Sequence, residues 1–322
     1  MKILLTGGTG FLGTASLRFL TSLPNRSDFD VTVVSSGRTS LTKLFNDHVK
    51  YLHLDLTDLS STDTFSNLKF DTVVHLATSS TLGPKYSELQ RYRDINSIDS
   101  TVLDIVKKVE ANHLIWASSG AVYGKIETSD QSREANSLIL GNLSNESAYR
   151  VGKIQSEYHV AKFVVENDVK LDILRLFTFS GIDLPLDVHF ALGNFIKDAL
   201  TENCINIAGS GLAVRSYLDQ NDFADIIQRI LHHAPSNIRI LNIGSPNELT
   251  LKKVANTVQD VCCEIFGEKP KLQVHNKFDD KDNYYIPNTD QLVQTFPDIT
   301  FTKLSTSVRE MLIHAKQTRK LN

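Results

Sequence analysis

The chain has 322 residues, a formal net charge of −3, 41% hydrophobic and 22% charged residues, and three cysteines. That balance excludes disordered, collagen-like and coiled-coil chains, and it leaves no electrostatic footprint for nucleic acid or an anionic membrane. Cys204, Cys262 and Cys263 lack metal-ligand spacing, the adjacent Cys262 and Cys263 read as buried apolar residues of a reducing compartment, no apolar run reaches a membrane span, and Met1 to Gly8 carries no signal peptide, so a soluble cytoplasmic protein without a metal is expected.

Short apolar runs, most of them rich in β-branched residues, occur at residues 3–5, 31–34, 51–54, 72–76, 114–117 and 171–176. They suit strands covered on both faces. Helical patterns lie between them, from Phe11 to Leu20 and from Ile95 to Val109, with apolar residues three and four apart in the latter. This alternation predicts a doubly wound parallel α/β sheet with right-handed crossovers. Beyond residue 176 the regularity changes. A helix is expected at 194–201, strands at 205–208 and 216–218, and a returning βα element at 223–231 and 238–243. A helix at 251–266, a polar loop at 276–288 and a helix at 305–316 follow. The expected domains are a dinucleotide-binding domain at 1–180 plus about 219–245, and a smaller intercalated C-terminal substrate lobe at about 181–218 plus 246–322.

Gly7, Gly10 and Gly13, with Phe11 and Leu12 between the last two, follow the first strand and open the first helix. A tight strand-to-helix turn and a closely approaching pyrophosphate both require residues without Cβ, and the helix N-terminus offers unpaired N–H groups to the anion. The second strand ends in Ser35-Ser36-Gly37-Arg38 with no carboxylate. A guanidinium and hydroxyls suit a 2′-phosphate better than a bare ribose, so NADP is preferred over NAD; the bland alternative is a solvated loop cation. Asp55 and Leu56 follow the third strand, toward an adenine edge. Leu76, Ala77 and Thr78 follow the fourth, where a cofactor ribose lies in such sheets. His75, inside an apolar strand, reads as a satisfied core histidine.

Tyr149 and Lys153 are one helical turn apart, which puts both on one face. A neighbouring ammonium favours the phenolate and makes a tyrosine able to exchange protons near neutrality. Ser118 and Ser119 end the fifth strand and place a hydroxyl for the same substrate oxygen.

With these motifs the chain resembles the extended short-chain dehydrogenase/reductases of the nucleotide-sugar NAD(P)-dependent epimerase/dehydratase family, with a Rossmann sheet. The resemblance covers essentially the whole chain. It rests on Thr6 to Gly13, Asp55-Leu56, His75-Leu76-Ala77, Asn96, Ser118 to Gly124, Tyr149 with Lys153, Arg175-Leu176-Phe177, and Arg215 to Leu218. It implies Tyr149 as acid/base, Lys153 on the nicotinamide ribose, and Ser119 bonded to the reacting oxygen. Ser118, Asn96 and Phe177 join the cofactor residues. Arg215 grips the nucleotide diphosphate, a buried structural salt bridge being the alternative. Thr178, where many members have Asn, and Asn194 and Phe195 are implied substrate contacts; His189 is either a substrate contact or a loop residue packing the lobe. Gly120 and Ala121 replace the Asp-Glu pair of hexose 4,6-dehydratases, so dehydration by that route is not expected. The resemblance implies 4-keto reduction of a nucleotide-linked sugar; the alternatives are a 4-epimerase, then a dehydratase or a nucleotide sensor without turnover. Helices near 95–110 and 148–166 are implied to pair in a homodimer.

Overall fold

The computed structural model describes residues 1–24, 26–36, 49–78, 87–124, 147–186, 190–277 and 283–318. The predicted alternation is realised in chain order as β1 (Lys2–Thr6), α1 (Phe11–Ser22), β2 (Asp30–Ser35), β3 (Val49–His53), β4 (Thr72–His75), α2 (Glu88–Lys108), β5 (His113–Ser119), α3 (Ala148–Asn167) and β6 (Lys170–Leu176). There follow β7 (Phe179–Ser180), α4 (Ala191–Thr201), β8 (Cys204–Ile207), β9 (Val214–Arg215), β10 (Leu218–Asp219), α5 (Gln220–His232) and β11 (Ile238–Ile243). The chain closes with β12 (Leu249–Thr250), α6 (Leu251–Phe266), β13 (Lys271–Val274), β14 (Tyr284–Tyr285), α7 (Asp290–Thr295) and α8 (Leu304–Thr318).

Seven strands form one sheet in the order β11-β6-β5-β4-β1-β2-β3. The pairs β1–β2, β1–β4, β2–β3, β4–β5 and β5–β6 are parallel. Strand order reverses beside β1, whose last residue Thr6 lies opposite Val34 of β2 and His75 of β4. That is the topological switch point, beyond whose strand ends ligands bind in sheets of this kind. Every residue of β4 and β5 is buried, the pattern of strands covered on both faces. Trp116 at the centre is fully buried, and its indole N–H donates to Ser156 Oγ at 2.8 Å. Burying that ring is favourable only because the N–H keeps a partner.

The helix ends follow capping chemistry. Ser87 Oγ accepts from Gln90 N–H at the start of α2, and Ser147 Oγ accepts from Arg150 N–H at the start of α3. Asp168 ends α3 in the left-handed region.

The described residues group into two compact units. The first holds residues 1–124, 147–176 and 224–241; the second holds residues 177–223 and 242–318. Residues 177–180, 219–223 and 242–245, which the pattern alone assigned to the first region, group with the second, where β7 pairs with β10 in a sheet of their own. Two further small sheets occur there, β12-β9-β14 and β13-β8. The strand expected at 216–218 is split into β9 and β10 around Ser216 and the buried Tyr217. The expected polar loop contains β14, and β13 and α7 are additions. Cys262 is buried as expected, whereas Cys263, expected to be buried beside it, is only partly so.

Candidate functional site

The glycine turn is built by close approaches. Gly7 has φ +76°, and a Cβ there would lie 2.5 Å from the Ala77 nitrogen. A Cβ at Gly13 would lie 2.2 Å from the Gly7 carbonyl oxygen. Any larger residue at either position forces the turn apart. Gly10 is exposed, and its N–H donates to the Gly7 carbonyl at 3.0 Å. It is the N-cap of α1, and no side chain caps that end. The first N–H groups of α1 are therefore donors of the kind that a pyrophosphate takes. Phe11 and Leu12, half-buried, carry two of them.

Leu76, Ala77 and Thr78 continue from β4 past this turn and are half-buried. Thr78 Oγ1 is buried with no hydrogen-bond partner among the described residues. An unpaired buried hydroxyl beside a glycine turn fits a dinucleotide ribose. Asn96 of α2 is half-buried. Asp55 is exposed, and its Oδ1 accepts from the Thr57 N–H at 3.0 Å and hydroxyl at 2.8 Å. Leu56 beside it is buried. Ser36 is half-buried at the end of β2. Arg38 and His189 lie outside the described residues.

His75 is the core histidine that its strand predicts. It is fully buried against Trp116, with ring centroids 4.2 Å apart, and its Nδ1 meets Thr6 Oγ1 at 2.7 Å across the β1–β4 pair. Its Nε2 faces Asp99 Oδ1 at 3.6 Å, an ion-pair distance too long for a hydrogen bond. Burial pushes the imidazole below its ordinary value near 6.5, with Asp99 opposing and Lys153 adding to the effect. The unfolded chain then binds the proton first. Stability from this group is present above about pH 6.5 and is lost as pH falls below it, by up to about 1.4 kcal/mol per pH unit. His75→Asn is expected to flatten that acid-side loss. Urea midpoints compared at about pH 7.5 and 5.5 check it, and an unchanged slope in the variant would refute it.

The α3 helix carries the tyrosine and lysine. Lys153 is 2% exposed, and its Nζ donates to the Ala117 carbonyl of β5 at 2.9 Å. Burying a lysine costs free energy, so its seat two residues before Ser119 is a specific one. Tyr149, half-buried, lies one turn earlier on the same helix. Ser119 is buried at the end of β5, and its Oγ accepts from the Ala121 N–H at 3.1 Å. That bond uses an acceptor position and aims the hydroxyl from the start of a tight turn. Gly120 and Ala121 form the turn, so neither position supplies an acid or base. Ser118 faces elsewhere. Its Oγ donates to Glu157 Oε1 at 2.5 Å, and Glu157 binds Arg175 through both oxygens, Nε to Oε1 at 2.9 Å and Nη2 to Oε2 at 2.7 Å. Arg175 Nη1 also donates to Tyr123 Oη at 2.8 Å. Burial works against the Arg175 charge, but the Glu157 carboxylate and Tyr123 outweigh it and hold the guanidinium firmly cationic. Ser118, assigned to the cofactor by resemblance, is thus one end of a buried network beneath Ser119.

Three side chains near the tyrosine escaped the sequence reading. Glu88 Oε2 accepts from the Ala148 N–H at 2.6 Å, capping α3 from α2. The Arg91 guanidinium lies over the Tyr149 ring, 4.9 Å from its centroid. Tyr92 Oη donates to Gln155 Oε1. Each joins residues about sixty apart, and no local period reports such a contact.

The second unit gathers Phe177, Thr178 and Arg215. Phe177 packs its ring on Tyr285 at 4.9 Å, and Tyr285 pairs with Arg215 between β14 and β9. Arg215 Nη1 donates to the Val214 carbonyl at 2.8 Å and the Asn283 carbonyl at 2.9 Å, and Nη2 to Asn283 Oδ1 at 3.1 Å. These three bonds go to carbonyl and amide oxygens. The Thr178 carbonyl accepts from the Leu218 N–H. Tyr217 beside it is almost wholly buried, which pushes its phenol well above the ordinary tyrosine range and removes it as an acid/base. Asn194 is half-buried on α4, and Phe195 is buried within this unit.

Among known proteins, the sequence model of the NAD dependent epimerase/dehydratase family matches residues 3–244. A probable UDP-arabinose 4-epimerase 3 of Arabidopsis thaliana is 26% identical over 289 residues, covering 78% of this chain and 66% of that protein, so the chain spans just under two thirds of that relative's length. UDP-glucuronic acid decarboxylase 3 of the same plant is 24% identical over 269 residues, covering 81% and 74%. A UDP-glucose 4-epimerase of Thermus thermophilus, solved as a complex with NAD, shares the fold with a TM-score of 0.80 at 18% identity, covering 98% of this chain and 99% of that one.

Proposed function

Since the chain belongs to the NAD-dependent epimerase/dehydratase family, we propose that it inverts carbon 4 of a UDP-linked sugar by removing and returning hydrogen at that carbon. The carrying observation is the buried Lys153, docked on the Ala117 carbonyl beside Ser119 and one helical turn from Tyr149. The dinucleotide, when bound, supplies hydride exchange at the sugar carbon. Gly7, Gly10, Gly13 and the N-terminus of α1 would hold its pyrophosphate, and Thr78 and Lys153 its ribose hydroxyls. Tyr149 takes the carbon 4 hydroxyl proton on oxidation and returns it on reduction. Ser119 donates a hydrogen bond to the same oxygen, and the Lys153 charge stabilises the phenolate that remains after Tyr149 has given its proton up. Arg215 is assigned the substrate diphosphate, which its fork suits. The named relatives, two of them 4-epimerases, support epimerisation over the 4-keto reduction that the sequence favoured.

A 4-keto reductase using NADPH is the second reading. Its support is the Ser35-Ser36-Gly37-Arg38 segment, which has no carboxylate for a bare ribose. The purified enzyme separates the two. Retained NAD, with UDP-galactose formed from UDP-glucose, supports the epimerase. An enzyme that exchanges and consumes NADPH, and whose NADPH affinity Arg38→Ala lowers while sparing NADH, overturns it.

We also propose pairing of two copies through α2 and α3. Leu89 on α2 and Tyr158 and Val165 on α3 are large apolar residues that the chain leaves exposed. The expected sedimentation mass at about micromolar concentration is that of a dimer, and a monomer would remove the proposal.

A further inference from the structure

We infer that Arg91 is a positioning residue for Tyr149, holding its ring; this rests on the reading of Tyr149 as the acid/base. The guanidinium carbon lies 4.9 Å from the ring centroid, within cation–π range. Arg91 is half-buried, and its Nε is buried with no hydrogen-bond partner among the described residues. An arginine commonly fills its donors with carboxylate or carbonyl oxygens, so an unfilled buried Nε marks a side chain seated by the ring.

The neighbouring contacts fix that seat. Glu88, one turn before Arg91 on α2, caps the first N–H of α3 at Ala148. Tyr92, next to Arg91, reaches Gln155 about two turns further along α3. Ile95, one turn on, packs where a Cβ on Gly152 would approach its Cδ1 to 3.0 Å. The first two turns of α2 thus clasp the turn of α3 that carries Tyr149, with Arg91 in the middle of the clasp.

The stack orients the ring. A cation over an aromatic face is attracted toward its centre and resists tilt of the ring away from it. The Tyr149 hydroxyl lies in the plane of that ring, so a held ring fixes the direction of the hydroxyl toward the oxygen it serves in both half-reactions, which raises kcat without tightening substrate binding.

The test compares Arg91→Met, Arg91→Lys and Tyr149→Phe with wild type, on UDP-glucose, UDP-N-acetylglucosamine and UDP-arabinose. Arg91→Met keeps the bulk over the ring and removes the charge. It is expected to lower kcat about tenfold, the size of a partly desolvated cation–π contact, with KM and NAD affinity within about twofold. Arg91→Lys is expected to recover most of the loss. Unchanged kcat in Arg91→Met, or Arg91→Lys as slow as Arg91→Met, overturns the inference. A wild type that turns over none of the three sugars, or a fully active Tyr149→Phe, overturns the acid/base reading and this inference with it. An inactive Tyr149→Phe beside a fully active Arg91→Met removes the role of Arg91 alone.

Discussion

Replacing Tyr149 by phenylalanine is expected to lower turnover by about a thousandfold, within the range that one general acid/base supplies. The change removes one oxygen and keeps the ring, so the Arg91 stack and the helix are retained. Cofactor affinity should hold, because the glycine turn and the buried seat of Lys153 lie elsewhere. The loss therefore appears in kcat and kcat/KM together, the signature of an interaction made in the transition state. Steady-state kinetics with a parallel titration of NAD binding checks both halves. Full activity in the variant would sink the acid/base role, and a matching loss of NAD affinity would recast the tyrosine as a cofactor ligand.

Glu157→Ala is expected to cost about 3–5 kcal/mol of stability, the range for removing one partner of a buried ion pair. Arg175 is 2% exposed and binds both Glu157 oxygens, so it would be left as a buried charge with Tyr123 as its remaining named partner. Ser118 would lose the acceptor of its hydroxyl, directly before Ser119. A joint Glu157→Leu and Arg175→Met replacement should recover much of the loss, since two apolar residues of similar volume leave no charge unpaired. Urea denaturation of the single and double variants measures this. A single variant as stable as wild type would show that the pair is indifferent to stability.

The parts of the molecule that were legible beforehand are those encoded within a few residues. The glycine turn declares itself because Gly7, Gly10 and Gly13 sit between an apolar strand and an apolar helix. Tyr149 and Lys153 are one turn apart, and helical spacing alone predicts a shared face. Five of the first six strands were found because burial on both faces leaves continuous apolar runs, and the edge strand β3, only partly buried, was found through the short apolar run that overlaps it. Among the short strands of the second unit β8 was expected, whereas β13 was not, because it carries polar Lys271 and Gln273 and is a strand only through pairing with β8, some seventy residues earlier. The same distance hid Arg91, whose partner is a ring on another helix, and Asn283, which holds Arg215. Ser118 was assigned to a ligand from its place in a motif, whereas its hydroxyl serves Glu157.

One buried cluster bears on how the chain is made. Asp172 of β6, wholly buried, meets His113 Nε2 at 2.8 Å and Arg239 Nε at 2.5 Å. Arg239 stands on β11, which leaves the ribosome only after nearly seventy more residues have followed Asp172. Until then the emerging sheet holds a carboxylate whose arginine does not yet exist, and His113 is the partner already synthesised. The flank of the sheet is therefore completed late, and a nascent chain released before residue 239 carries an unfinished edge and a half-answered charge.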